Sequence, residues 1–190
     1  MTGRVWPGPM TDESDEALYR RLKRGDMSAF DVLFDRYESR LFGFLVSRVG
    51  NRADAEDLFH EAFLATLKSG EATFDHEGAF RTWLYRIARN LTLNRRRSLQ
   101  RGERALARLP EELHEPGADE LLGDRQKSAA LQDALERLPP TLAELFQLRT
   151  SGLSYEEMAA VLEIPLGTIK SRMNQMVTQL KEELRPWTAR

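Results

Sequence analysis

LSYEEMAAVLEIPLGTIKSRM, residues Leu153 to Met173, carries the pattern that decides the fold of this chain. Ser154 with Glu157 three residues on is a capping box, in which hydroxyl and carboxylate each satisfy an orphan backbone N–H at a helix start. Met158, Ala159 and Leu162 follow at helical spacing and face inward, Ala159 being small enough to let a second helix cross closely. Glu163, Ile164 and Pro165 make a turn, and Pro165 suits the first position of the next helix, where no N–H is needed. That second helix buries Ile169, Met173, Met176 and Leu180. Its other face carries Thr168, Lys170, Ser171, Arg172, Asn174 and Gln175, and no acid occurs from Leu166 to Lys181. A helix that enters a DNA major groove has this character: lysine and arginine meet phosphate or guanine, asparagine and glutamine read adenine, and carboxylates are repelled. A plain helical hairpin in a globular core is the competing explanation, and the acid-free face weighs against it.

Outward from this pair, the periodicity stays helical. Upstream, Leu131, Ala134, Leu135 and Leu138 form a stripe ended by Pro139 and Pro140, and Thr141 with Glu144 reads as a capping box for a helix through Leu148, with Gly152 as its stop. Residues 98–125 mix Gly102, Pro110, Pro116, Gly117 and Gly123 with charge, the composition of a linker with a helical start. Before it lie four more stripes. Leu18 and Leu22 precede Gly25. Asp26 caps a run from Phe30 through Leu33, Phe34, Tyr37, Leu41 and Leu45 to Val49, ended by Gly50. Ala55, Leu58, Phe59, Ala62, Phe63 and Leu67 sit between Asn51 and Gly70, and Phe80, Trp83, Leu84, Ile87, Ala88 and Leu91 form the last. No segment alternates with period two. The expected fold is all-α: two small helical domains, an N-terminal bundle over 15–97 and a C-terminal helix-turn-helix domain over 126–185, joined by a flexible linker over 98–125. Tails are expected at 1–14 and 186–190.

Composition limits the function. The 190 residues include no cysteine, so no disulfide or thiolate metal site forms and a reducing cytoplasm is the expected location. No apolar run nears the roughly 18 residues needed to span a membrane, so no membrane insertion is expected. The net charge of −2 conceals a strong asymmetry. Nine arginines and one acid lie between Arg81 and Arg108, and six acids and no base between Glu111 and Asp124. Arginine beside accessible aromatic rings suits single-stranded DNA, whose phosphates need cations and whose unstacked bases need flat partners. Trp83 and Tyr85 are the candidate rings, although Trp83 lies on the apolar stripe and core packing accounts for it better.

Three stretches in order, DAEDLFHEAF (Asp54 to Phe63), FRTWLYRIARN (Phe80 to Asn90) and the pair Leu153 to Met173, resemble the sigma-70 family of transcription initiation factors, specifically its extracytoplasmic-function group. The resemblance spans roughly Leu18 to Leu184. It implies that the first domain, conserved region two, binds the clamp of the largest subunit of core RNA polymerase and captures the melted minus-ten element. It implies that the second, conserved region four, binds the duplex minus-thirty-five element and the polymerase flap. Carried onto this sequence, the minus-ten contacts are Arg86, Arg89, Asn90, Asn94, Arg95, Arg96 and Arg97, with Asn90 and Asn94 suited to a base edge and a backbone loop expected near Gly102. The minus-thirty-five contacts are Thr168, Lys170, Ser171, Arg172, Asn174 and Gln175. The polymerase contacts are Asp54, Asp57, His60, Glu61 and Leu64, with His60 standing where the family commonly has glutamine. An anti-sigma protein covering both DNA-binding surfaces is a further implied partner.

No catalytic residue, cofactor or metal is expected, and the chain is read as a non-enzyme. His60, His76 and His114 are scattered, and Leu64 stands where a zinc-protease pattern beginning His60-Glu61 needs its second histidine. A helix-turn-helix regulator, or a DNA recombinase holding magnesium on Glu56, Asp57 and Glu61, is the alternative that does not depend on core polymerase.

Overall fold

A computed structural model of the chain describes residues 12–70, 74, 76, 78–102 and 130–188, which fall into two compact units on either side of residues 103–129. Every regular element among the described residues is helical.

The first unit holds α1 (Asp15–Lys23), α2 (Met27–Val49), α3 (Arg52–Lys68) and α4 (Ala79–Gly102). Short polar side chains start three of them. Ser14 accepts from Ala17 N–H, Asp26 from Ser28 N–H and Asn51 from Asp54 N–H, each replacing a bond that the first helical turn cannot make for itself. Between α2 and α3, Gly50 takes φ +76°, a left-handed conformation that costs glycine little. Leu33, Leu41, Phe44 and Leu45 of α2 are fully buried, and α2 contacts all three other helices, whose Leu18, Phe59, Ala62, Leu84 and Ala88 are buried as well. Interlocking rings fill the space between: Phe34 meets Phe59 and Phe63 edge-on or tilted, and Phe44 meets Tyr85 with centroids 5.5 Å apart.

The second unit holds α5, of which residues 130–136 are described, then α6 (Pro140–Thr150), α7 (Tyr155–Leu162) and α8 (Leu166–Thr188). Leu145, Leu148, Leu153, Met158, Val161 and Ile169 are all fully buried at its core. The capping box of α7 forms as read: Glu157 N–H donates to Ser154 Oγ at 3.1 Å and Ser154 N–H to Glu157 Oε2 at 2.7 Å. Glu163 turns the chain from α7 to α8 at φ 56°, the non-glycine residue in that region among the described ones.

The helices depart from the sequence expectations at several places. The N-terminal tail was expected to reach residue 14, but Ser14 caps α1 and Glu13 pairs with Arg21 at 2.5 Å, so both belong to the fold. Helix α4 continues to Gly102, so residues 98–102 are helical and the loop expected near Gly102 is absent there; residues 103–129, most of the expected linker, lie outside the described residues. Helix α8 continues to Thr188, into the expected C-terminal tail. Thr141 and Glu144 make no capping box. Pro140 occupies the first helical position, where its fixed φ is already helical and it has no N–H to satisfy, and the Pro139 carbonyl accepts from Leu142 and Ala143. Pro165 precedes α8 rather than opening it, its carbonyl accepting from Thr168 at 2.9 Å and Ile169 at 3.2 Å. Tyr85 is fully buried against Phe44, because α4 packs on α1, α2 and α3 together and so buries a wider face than its aliphatic stripe implies. It is therefore closed to a nucleic-acid base.

Candidate nucleic-acid and polymerase interfaces

On α8, Ile169, Met173 and Met176 are buried and so set which side faces solvent. At 100° per residue, Ser171, Asn174 and Gln175 point directly away from that side, and all three are exposed. Lys170 and Arg172 stand about 200° apart, one on each flank of the same outer surface. Lys170 is exposed and Arg172 half-buried, and neither is held by an ion pair among the described residues. Thr168 sits beside Arg172, also half-buried. Ser171 Oγ donates to the Thr168 carbonyl at 3.0 Å, so the hydroxyl proton is spent within the helix and the oxygen is left as an acceptor. The surface thus has neutral hydrogen-bonding groups in the middle and a cation at each edge.

The seven α4 residues picked out by sequence do not share one surface. All are helical. Arg86, Asn90, Asn94 and Arg97 fall within about 80° of one another, a single stripe running three turns. Arg89 and Arg96 lie to one side of it, Arg89 half-buried and Arg96 exposed. Arg95 continues the inward line of Leu84, Ala88 and Thr92, each of them buried. It reaches across to α3, where its guanidinium is ion-paired with the Asp54 carboxylate. Trp83 is half-buried in a ring cluster with Tyr19, Phe74 and Phe80, at centroid distances of 5.5, 5.7 and 5.9 Å, as its place on the apolar stripe suggests.

On α3, Asp57, His60, Glu61 and Leu64 form one exposed stripe at spacings of three, one and three, with the Leu64 side 48% open to solvent. Asp54, expected to head that stripe, is instead withdrawn. Its side chain is 18% exposed, its Oδ2 accepts from Asn51 Nδ2 at 2.9 Å and its Oδ1 from Arg95. The Asn51 bond first, and Arg95 second, hold its pKa below the ordinary carboxylate value. Beside the stripe runs a groove of about 420 Å³ between α2 and α3. Phe34, Phe42 and Phe59 give it apolar walls, and Glu38, Ser39, Arg52, Glu56 and His60 a polar rim. Arg52 lies over the Phe42 ring at 5.3 Å and pairs with Glu56 at 2.8 Å. The sequence reading missed this groove. Glu38 and Phe42 come from another helix, and their distance in sequence from His60 hides the contact.

Glu56, Asp57 and Glu61 do not converge: Glu56 turns to Arg52 while the other two follow the exposed stripe, and no group of metal-ligating side chains forms among the described residues. No described helix is long and apolar enough to cross a membrane.

Family models match both units. Sigma-70 region 2 matches residues 33–102 and Sigma-70, region 4 matches residues 128–180. The chain is 33% identical over 192 residues to the RNA polymerase sigma-H factor of Pseudomonas aeruginosa, covering 93% of this chain and 97% of that one. It is 34% identical over 185 residues to the ECF RNA polymerase sigma-E factor of Haemophilus influenzae, covering 91% and 96%. Among solved structures, the sigma factor RpoE from Bartonella quintana, in complex with the anti-sigma factor NepR, superposes with a TM-score of 0.66 at 25% identity, covering 85% of this chain and 98% of that one.

Proposed function

This chain belongs to the sigma-70 family of RNA polymerase sigma factors, in the extracytoplasmic-function group, and from that premise we propose how its surfaces divide the work of starting transcription. As a promoter-directing initiation factor it joins core RNA polymerase and brings it to promoter DNA. The stripe Asp57, His60, Glu61 and Leu64 on α3, with the adjoining groove, docks on the polymerase clamp. An exposed leucine among polar groups, beside an aromatic-walled groove, gives a partner helix both an anchor and orienting contacts. Asp54 supports this surface from behind.

The outer surface of α8 enters the major groove of the minus-thirty-five element. That groove is about 12 Å wide, so Lys170 and Arg172, on opposite flanks, meet phosphates of opposite strands. Ser171, Asn174 and Gln175 between them face the base edges, with Thr168 at the margin. The stripe Arg86, Asn90, Asn94 and Arg97 on α4, flanked by Arg89 and Arg96, holds the melted minus-ten strand; the arginines take phosphates and the asparagines a base edge. The sharing of one helical face by these four residues is the observation that carries the assignment. Arg95, tied to Asp54, contributes less. Binding and positioning are the whole of its chemistry: no cofactor and no reaction of its own is invoked, and the cytoplasm, where the polymerase works, is its place of action. An anti-sigma protein that masks these surfaces is the third partner, by analogy with the complex of the Bartonella relative.

The test is transcription by purified bacterial core polymerase, with and without the chain, on a pool of promoter-length duplexes carrying randomised segments. Transcripts starting at a fixed distance from an enriched pair of elements are expected only with the chain present. Transcription independent of the chain, or duplex binding that ignores the polymerase, would favour the helix-turn-helix regulator instead.

A further inference from the structure

Helix α1 carries no residue of the proposed DNA or polymerase surfaces, yet one of its faces engages two helix ends with charges of the correct sign. Lys23 Nζ donates to the carbonyls of Thr66 at 3.3 Å and Leu67 at 3.0 Å, and to that of Ser69, at the C-terminus of α3. Those carbonyls have no partner inside the helix, and an ammonium there meets the negative end of the helix dipole. Seven residues earlier, Glu16 is 5% exposed and its Oε1 accepts from Gly78 N–H at 3.0 Å and Phe80 N–H at 3.1 Å, at the start of α4. A carboxylate there meets the positive end. Between them Tyr19 donates its hydroxyl to the Gly70 carbonyl at 3.2 Å, shares a hydrogen bond with Ser69 Oγ at 2.9 Å, and packs its ring on Phe74, Phe80 and Trp83.

Residues 16, 19 and 23 lie at i, i+3 and i+7, hence on one face, and two turns of helix separate the charged pair by about 10.5 Å along the axis. Helix α1 is therefore a spacer of fixed length that joins the last turn of α3 to the first turn of α4. Burial makes the spacing rigid: a polar group taken out of water is costly unless it is hydrogen-bonded, so Glu16 cannot leave Gly78 and Phe80 without cost. The joint holds the first turn of α4 and, through the rings of Tyr19 and Phe80, Trp83, and the Arg86–Arg97 stripe continues from that turn.

We infer that Glu16, Tyr19 and Lys23 are positioning residues for promoter opening, which fix the beginning of α4 and Trp83 in the geometry from which the α4 stripe takes the melted strand. The inference rests on the assignment of that stripe to the minus-ten element. A brace of this kind contributes to the step in which duplex becomes single strand, and not to the affinity for polymerase, whose surface lies on the exposed stripe of α3.

The experiment uses holoenzyme assembled from purified core polymerase and the full chain, on a duplex enriched in the transcription assay and on the same duplex with an unpaired bubble across its minus-ten element. Lys23→Met, Glu16→Gln and Tyr19→Phe are compared with Lys23→Arg, which keeps charge and donors. Tyr19→Phe keeps the ring packing and loses only the hydroxyl, so it tests the joint even if the charge variants unfold. Permanganate reactivity of thymines against time reads opening, and fluorescence titration reads polymerase affinity. Opening of the duplex is expected to slow roughly tenfold for Lys23→Met and Glu16→Gln, and less for Tyr19→Phe. Polymerase affinity should be unchanged, the bubble should restore most of the loss, and Lys23→Arg should behave as wild type. Wild-type opening rates in all three variants, or opening and polymerase affinity falling in step, would overturn the inference. An Arg96→Ala/Arg97→Ala chain that opens duplex normally would instead undermine the assignment of α4 to the minus-ten strand, which separates the two failures.

Discussion

Replacing Lys170 and Arg172 by alanine, singly and together, tests the geometry of α8. The two side chains flank one outer surface, about 200° apart, so each should reach a different phosphate and their losses should add. Every phosphate contact removed lowers the slope of log affinity against log salt by about 0.9. Each single variant is therefore expected to be shallower by about 0.9 and the double by about 1.8. Between 50 and 200 mM salt, that double change alters the ratio of wild-type to variant affinity by about twelvefold, with the larger deficit at low salt. The structure supports taking both contacts at full value, since neither cation is already held by a carboxylate among the described residues. The assay is equilibrium binding of holoenzyme to an enriched duplex across a salt series, followed by fluorescence anisotropy. A double variant no shallower than either single would mean that the two cations share one phosphate or none, and the reading of α8 as a groove-spanning helix would fail. Base discrimination should survive all three variants, because Ser171, Asn174 and Gln175 are untouched.

Three further outcomes follow from the structure. Leu64→Asp should abolish capture of core polymerase in a pull-down while moving the stability of the free chain by no more than about 0.5 kcal/mol, since the residue is exposed; wild-type capture would remove Leu64 from the docking surface. Tyr85→Ala should cost about 3–5 kcal/mol in urea unfolding of the first unit, because it empties a fully buried site against Phe44; an undiminished midpoint joined to weakened binding of single-stranded DNA would return Tyr85 to the surface. Asp26 is held at a pKa of about 2, down from 3.8, by hydrogen bonds from Ser28 and then Arg21. A lowered folded pKa gives stability that is present above 3.8 and lost as pH falls toward 2, so Asp26→Asn should flatten the acid limb of a circular-dichroism pH titration across that window.

Helix starts were the most legible feature of the sequence, because a cap is a contact among residues three apart. Ser154 with Glu157 and Asp26 cap as read, and Asn51, read as the boundary of α3, proves to be its cap. Thr141 with Glu144 has the same spelling and fails because the adjacent Pro140 already supplies a helical φ and needs no N–H partner. Burial was legible where one neighbour decides it and less so where several do. A stripe drawn through Phe80, Leu84 and Ala88 predicts the centre of the buried face of α4 correctly, but contact with three other helices widens that face to take in Tyr85 and Thr92. In the candidate sites, the exposed residues of α8 and of Asp57 to Leu64 could be read from what lay opposite the apolar stripe. Arg95 could have been read the same way. Its place in the run Arg95-Arg96-Arg97 suggests three equivalent cations, whereas helical spacing from Leu84 and Ala88 already turns it inward. The partner it finds there, Asp54, lies 41 residues earlier and has no local signal.

That pair bears on how a chain of net charge −2 can hold DNA at all. Charges on separate faces act separately once they are further apart than the Debye length of about 8 Å, so the sum matters less than the sign of each surface. The stripe on α3 is acidic through Asp57 and Glu61, and the stripe on α4 is basic. Asp54 is the α3 acid that touches α4, and unpaired it would stand as a bare carboxylate beside the strand that α4 is proposed to hold. Pairing with Arg95 and bonding to Asn51 neutralise it at the boundary. An ion pair this open to water adds only about 0.2–1 kcal/mol to folding. Its larger effect is therefore expected on recognition: one arginine is given up as a phosphate ligand, and the Asp54 carboxylate is neutralised beside the face of α4 proposed to hold DNA. Exchanging the pair, Asp54→Arg with Arg95→Asp, keeps the bond and reverses its direction. It gives up the bond from Asn51 and puts a cation in the first turn of α3, so it should cost about 1 kcal/mol in urea unfolding, and it should weaken capture of the melted strand, because the carboxylate then rides on the helix proposed to hold phosphate; capture equal to that of wild type would refute the reasoning.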